Sequence, residues 1–221
     1  MAKKAFIFDL DGVIVDTAKY HFLAWKKLAN SIGVDFTEHQ NEQLKGVSRV
    51  KSLEKILGWG NKSISEDEFM ELMALKNDDY LNYINKMDDG EILPDVNKVL
   101  DYLLENHQHV ALGSASKNAR MILKKVNILE KFKVIVDGND VSKAKPNPEV
   151  FLKAAEKLHC DPKNCIVFED SVAGVKAANI ASMVSIGIGD NETLKEANYI
   201  FKDFTEISTD FLNELIKEKR T

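Results

Sequence analysis

The stretch Ala5-Phe6-Ile7-Phe8-Asp9-Leu10-Asp11-Gly12-Val13 decides how this chain folds. Its opening apolar run has no polar alternation, which marks a strand buried on both faces, and we place that strand at Ala5–Leu10. Similar runs recur at Val110–Ser114, Val134–Val136, Ile166–Glu169 and Val184–Ile188, with a weaker one at Tyr199–Phe201. Helical spacing fills the intervals at Asp95–Asn106, Asn118–Val126, Pro148–Leu158 and Ser171–Ala181. Strands alternating with helices predict an α/β fold: a Rossmann-like parallel sheet core with helices on both faces.

One region breaks the rhythm. From Asp16 to Asn85 no good strand appears. Tyr20, Leu23, Ala24, Lys27 and Leu28 give Thr17–Ile32 an amphipathic face, and a further helix is read at Ser48–Leu57. Thr37 with Gln40, and Ser65 with Glu68, form capping-box patterns, the second opening a long helix at Glu66–Asn85. The reading is an inserted all-α domain, residues 16–91, within an α/β domain made of residues 1–15 and 92–221.

Composition narrows the classes of function. The chain has 221 residues, 44% of them hydrophobic, enough for a real core. A formal net charge of -5 argues against a nucleic-acid surface. The one basic cluster, Lys217, Lys219 and Arg220, reads as a solvated helix end. No apolar run approaches the ~18 residues of a membrane span. The apolar stretch after Lys3 and Lys4 is broken by Asp9, Asp11 and Asp16, unlike a signal peptide. Cys160 and Cys165 form neither a disulfide framework nor a zinc or redox pair by spacing. The expectation is a cytoplasmic monomer, with no membrane or nucleic-acid partner, since no exposed apolar stripe stands out.

The chemistry gathers where strands end. In open parallel sheets, ligands bind beyond the carboxyl ends of the strands. Asp9 and Asp11 lie there on the first strand, and Gly12 permits a sharp turn directly after them. Glu169 and Asp170 lie at the same end of the fourth strand. Adjacent carboxylates repel unless a cation or proton compensates. Two such clusters on two central strands suit magnesium, which prefers oxygen ligands. The run Gly113-Ser114-Ala115-Ser116-Lys117-Asn118 precedes a helix, where hydroxyls and free N–H groups bind phosphate oxygens. Pro146 biases Lys145 away from helix, so its ammonium is available to neutralise phosphate and carboxylate.

This ordered set resembles the haloacid dehalogenase superfamily along the whole chain. Asp9-Leu10-Asp11-Gly12 looks like its first motif, Ser114 its second, Lys145 its third and Glu169-Asp170 its fourth. A closer resemblance is to the β-phosphoglucomutase family within it. That likeness is carried by Asp9–Val13 with Asp16-Thr17, Tyr20-His21, Asn41-Glu42-Gln43-Leu44-Lys45-Gly46-Val47-Ser48-Arg49, and Ser114–Asn118 with Glu169-Asp170-Ser171. Ala144 and Asn147 flank the Lys-Pro motif differently from the family pattern.

The resemblance implies a first strand at the centre of the sheet and a helical cap hinged near Asp16-Thr17 and Met87–Ile92. It implies Asp9 as nucleophile and Asp11 as general acid and base. Magnesium would be held by Asp9, the Asp11 carbonyl, Asp170 and, directly or through water, Glu169. Ser114, Ala115 and Lys145 would hold the transferring phosphoryl group. Arg49 with Ser116, Lys117 and Asn118 would hold a second phosphate, and His21, Lys45, Gly46, Val47 and Ser48 would line the sugar pocket. Substrates would be sugar phosphates, with glucose 1,6-bisphosphate as phosphorylating activator. The residues by themselves leave open a sugar-phosphate phosphatase, and more remotely a non-catalytic binding module.

Overall fold

A computed structural model of the chain describes residues 3–218. Six strands form one wholly parallel sheet: β1 (Ala5–Phe8), β2 (His109–Gly113), β3 (Val134–Val136), β4 (Cys165–Glu169), β5 (Val184–Ile188) and β6 (Tyr199–Phe201). Their order is β3-β2-β1-β4-β5-β6. The chain works outward from β1 on one side, then crosses to β4 and works outward on the other. β1 therefore flanks the point where strand order reverses, the place where such sheets open a crevice for ligands. β1 is shorter than its apolar run suggests, because pairing ends at Phe8 and leaves Asp9 and Leu10 on the emerging loop.

Side-chain alternation explains why both faces are covered. Phe6, Phe8, Val110, Leu112, Ile166 and Phe168 point to one face. There they pack with α5 (Val96–Glu105), α6 (Ala119–Lys125) and α9 (Thr209–Lys217). Ala5, Ile7, Ala111, Cys165 and Val167 point to the other, against α7 (Glu149–Lys157) and α8 (Val172–Ile180). Phe8 stacks on Phe168 with ring centroids 4.6 Å apart, and Phe204 closes the cluster at 5.4 Å from Phe168. Such pairs add about 0.5–1.5 kcal/mol each beyond the area they bury. They fix β1 beside β4 directly beneath the carboxylates. Helix α9 carries Lys217; Lys219 and Arg220 lie outside the described residues.

The helical block comprises α1 (Ala18–Ser31), α2 (Glu38–Glu42), α3 (Arg49–Trp59) and α4 (Glu66–Ile84). It has its own apolar cluster, including Trp25, Leu28, Phe36, Leu53 and Ile56. Ala24, Tyr80, Ile84 and Met87 belong instead to the core of the sheet. The two connections to the sheet run side by side: Asp16 N donates to Glu91 O at 3.3 Å, and Leu93 N to Ile14 O at 3.0 Å. Tyr20 and Lys19 both bond Glu91 across them.

Both capping boxes form. Thr37 and Gln40 exchange hydrogen bonds at the start of α2, and Ser65 and Glu68 do so at α4. α4 carries lining residues of the cavity described below, so its N-terminal fixation matters. Ser65→Ala leaves an orphan N–H and is expected to lower stability by ~1 kcal/mol in urea unfolding. An unchanged midpoint would show that tertiary packing alone holds this helix end.

Candidate active site

Asp9 is one residue beyond β1, its N–H donating to Phe168 O at 3.0 Å. That bond is the last of the β1–β4 ladder and aims the side chain into the crevice, where it is 5% exposed. Its Oδ1 accepts from Lys145 Nζ at 2.6 Å. Burial drives the Asp9 carboxyl well above the usual range; Lys145 opposes this, while Glu169, Asp11 and Asp170 push the same way as burial. Gly12, at φ +78°, turns the chain where a Cβ would overlap the Asp170 carboxylate.

Glu169 is wholly buried and fully partnered. One oxygen accepts from Lys145 Nζ, and the other from Ser171 N at 2.9 Å and Ser171 Oγ at 2.8 Å. Gly174 leaves room for it, since a Cβ there would overlap its carboxylate. Lys145 thus bridges the carboxylates that end β1 and β4. Burial works against its ammonium, yet Asp9 and Glu169 outweigh burial and hold its pKa above the ordinary lysine value. Asp170, with a side chain 9% exposed, lies 3.4 Å from Lys45 Nζ. Burial, then the Glu169 charge, raise its carboxyl to about 7.

Oxygens of Asp9, Glu169 and Asp170 come within 4.8 Å of one another. The donors are all carboxylate oxygens, crowded together, and the carboxyls of Asp9 and Asp170 are raised while no further cation shares the site. This fits a hard divalent cation. The Asp11 side chain is not in this group. Its Oδ1 accepts from Thr17 Oγ1 and lies 3.9 Å from His21 Nε2, so it faces the helical block. Burial foremost raises the Asp11 carboxyl, against the Thr17 hydrogen bond.

A cavity of about 760 Å³ lies between the sheet's carboxyl edge and the helical block. It is lined by Asp9, Asp11, Ser114, Lys145 and Asp170 from the core, and by His21 and Lys45 through Arg49 from the block. Ala115, Ser116, Lys117 and Asn118 complete its wall, while Glu169 sits beneath it. Ser114 is buried, with Oγ accepting from Ser116 N at 3.1 Å. Ser48 caps α3 and so places Arg49 on its first turn. Asn118 Nδ2 donates to Asn77 Oδ1 of α4 at 3.2 Å, joining core to block. Among the described residues, neither Arg49 nor Lys117 forms a salt bridge, though the Asp78 charge acts on Arg49.

Sequence reasoning missed Lys76. It is 2% exposed, with Nζ 2.9 Å from His21 Nδ1 and over the rings of Trp25 and Tyr80 at 4.7 and 4.5 Å. Burial, then Arg49, lower its ammonium to about 7, with Asp11 acting in the opposite sense. Burial, then Lys76 and Arg49, hold the His21 imidazole well below its usual value. Its signal was present: Phe69, Met73, Lys76 and Tyr80 fall at helical spacing on one face, and a lysine on such a stripe is out of place.

The chain matches the haloacid dehalogenase-like hydrolase family over residues 3–181 and belongs to it. It is closely related to β-phosphoglucomutase. It is 40% identical to the β-phosphoglucomutase of Bacillus subtilis over 213 residues, covering 96% of this chain and 94% of that one. It superposes on the crystal structure of β-phosphoglucomutase from Clostridium difficile with a TM-score of 0.94, at 42% identity and 97% coverage of both chains. A phosphorylated carbohydrates phosphatase of Thermotoga maritima is 28% identical, covering 89% of this chain and 92% of that one.

Lys76 makes a stability prediction. Its ammonium is held at about 7 in the fold, against about 10.4 in an unfolded chain. Between these values the unfolded state binds more protons, so stability rises with pH across the window. Lys76→Met should be a few kcal/mol more stable than the parent below about pH 7, the gap closing towards pH 10. Urea unfolding of both proteins across that range measures it, and a gap independent of pH would contradict it.

Proposed function

We propose that this protein is a β-phosphoglucomutase, interconverting β-glucose 1-phosphate and glucose 6-phosphate through an aspartyl-phosphate and a β-glucose 1,6-bisphosphate intermediate. The observation that carries this reading is the two-ended cavity. Its floor joins Asp9, Asp170 and Lys145, while its walls present Arg49 and Lys117, neither of them held in a salt bridge among the described residues. A hydrolase acting on one phosphate needs only the first end. A bisphosphate needs both.

Asp9 attacks phosphorus in line, forming an acyl-phosphate bond as the bond to the departing sugar oxygen breaks. Lys145, the Ser114 hydroxyl and the Ala115 N–H steady the transferring oxygens; the Ala115 N–H donates to no protein acceptor among the described residues. Asp11 gives its proton to the departing oxygen, and later takes one from the hydroxyl that attacks the aspartyl-phosphate. Its raised pKa suits both tasks, and Thr17 and His21 tie its position to the helical block. Magnesium, held by Asp9, the Asp11 carbonyl and Asp170 with Glu169 behind them, would neutralise charge developing on the phosphoryl group.

Arg49, matched bidentately to phosphate, would clamp the distant group with Ser116, Lys117 and Asn118. His21, Lys45, Gly46, Val47 and Ser48 would surround the sugar. Residues 16–91 would act as a cap on the paired linkers, with residues 1–15 and 92–221 as the core. Closure excludes water, so a sugar hydroxyl intercepts the phosphoenzyme. The intermediate then turns round, and its two phosphates exchange ends. A trace of the bisphosphate starts the cycle by phosphorylating Asp9.

With β-glucose 1-phosphate, magnesium and a trace of glucose 1,6-bisphosphate, the expected product is glucose 6-phosphate with little free phosphate. Stoichiometric phosphate release would instead identify a phosphatase. Asp9→Asn should lower kcat by ~10⁴-fold or more and abolish the phosphoenzyme. Arg49→Ala should raise the KM for the bisphosphate ~10–100-fold while sparing phosphoryl transfer to water. Equal loss in both reactions would remove Arg49 from the distant phosphate.

A further inference from the structure

The turn Asp137-Gly138-Asn139 follows β3, and its Gly138 lines the cavity. Its carboxylate, Asp137, is 3% exposed at the side chain and belongs to no step above. A buried carboxylate is costly unless its oxygens are hydrogen-bonded. Here they are: Oδ1 accepts from Asn139 N at 2.8 Å and Asn139 Nδ2 at 3.0 Å, and Oδ2 from Arg120 Nε at 3.2 Å. Arg120 is itself fixed by donating to Ile135 O at 2.9 Å. Asp140 faces the same group, its Oδ2 accepting from Asp137 N at 2.9 Å.

The turn then reaches the phosphate loop. Gly138 N donates to Ser116 O at 3.1 Å, and Asn139 Nδ2 donates to Lys117 O at 3.0 Å. These two bonds orient the loop's peptides. A trans peptide is planar, so its C=O and the N–H that follows point in opposite directions. With the Ser116 and Lys117 carbonyls drawn to the turn, the N–H groups of Lys117 and Asn118 face the other way. Residues 115–118 line the cavity. Asn118 N meets Ser116 Oγ at 3.3 Å, and Lys117 N has no protein acceptor among the described residues. Without the turn, either peptide could flip and aim a carbonyl lone pair at an anion.

We infer that Asp137, Gly138 and Asn139 form a positioning brace that presents the 116–118 loop to the distant phosphate, and so sets affinity for a bisphosphate independently of chemistry at Asp9. The inference rests on the mutase reading for the identity of that ligand. Asn139 is exposed, and its side chain spans from Asp137 to the Lys117 carbonyl, so Asn139→Ala removes the tie without opening the core.

The experiment compares parent and Asn139→Ala in two reactions with magnesium. One is the KM for glucose 1,6-bisphosphate in the mutase assay. The other is the rate of Asp9 phosphorylation by acetyl phosphate, a donor with no distant phosphate. The expected result is a bisphosphate KM raised about tenfold, the scale of one hydrogen bond serving a charged group, with acetyl phosphate turnover within about twofold of the parent. An unchanged bisphosphate KM overturns the brace. So does a parallel loss in both reactions, which would make the turn merely structural. The products formed by the parent alone judge the mutase reading, whereas the ratio of variant to parent judges the brace.

Discussion

The ammonium of Lys145 holds this site together. It lies within reach of Asp9 at the end of β1 and Glu169 at the end of β4, all three almost wholly removed from water. With Asp11 and Asp170 beside them, four carboxylates crowd the centre of the sheet's carboxyl edge. Such a cluster persists only if its charge is answered. Lys145 answers part of it, and the repulsion that remains fits the cluster to a further cation, as in the proposed mechanism. The same ammonium is placed to follow the charge onto a phosphoryl group. The aromatic packing of Phe8, Phe168 and Phe204 beneath keeps the two strands from yielding to that repulsion.

The helical block supplies opposite chemistry. Its cavity-facing residues are largely basic or neutral: Arg49, Lys76, His21 and Lys45. Lys76 is buried and His21 half-buried, both with depressed pKa values, so this wall carries less charge than its composition suggests. Asp11 couples the two lobes. It belongs to the β1 loop, yet its carboxylate bonds to Thr17 at the root of α1 and approaches His21. In the proposed mechanism Asp11 transfers protons, and a group tied to the block in this way is set in place by the block's position. That is a physical route by which a sugar hydroxyl, and not water, can receive phosphate.

Much of this was legible in the sequence because it rests on local signals. The unalternating apolar run Ala5–Phe8 announced a doubly covered strand, and the two capping boxes announced α2 and α4. Asp9, Asp11, Glu169 and Asp170 stood out because strand ends gather ligands, and Lys145 by Pro146 beside it and by its place in the ordered set. Strand limits were less legible: β1 ends at Phe8 because the chain leaves the ladder there, though hydrophobicity continues to Leu10. Lys76 was missed because a helix of mixed charge hides one inward lysine, and its partners Trp25 and His21 lie more than fifty residues away in α1. The Asp137 turn was invisible for a related reason. Its meaning comes from parallel pairing of β3 with β2, which no local pattern declares.

The central claim is that phosphate travels on Asp9 to a sugar. Rapid quench with bisphosphate labelled in its phosphates, followed by borohydride reduction, tests it directly, since reduction converts an aspartyl-phosphate to homoserine. The account predicts homoserine at position 9 within the first turnover, and label passing to β-glucose 1-phosphate when that sugar is added as a chase. Absence of modification at position 9, or label appearing only as inorganic phosphate during the chase, would contradict it.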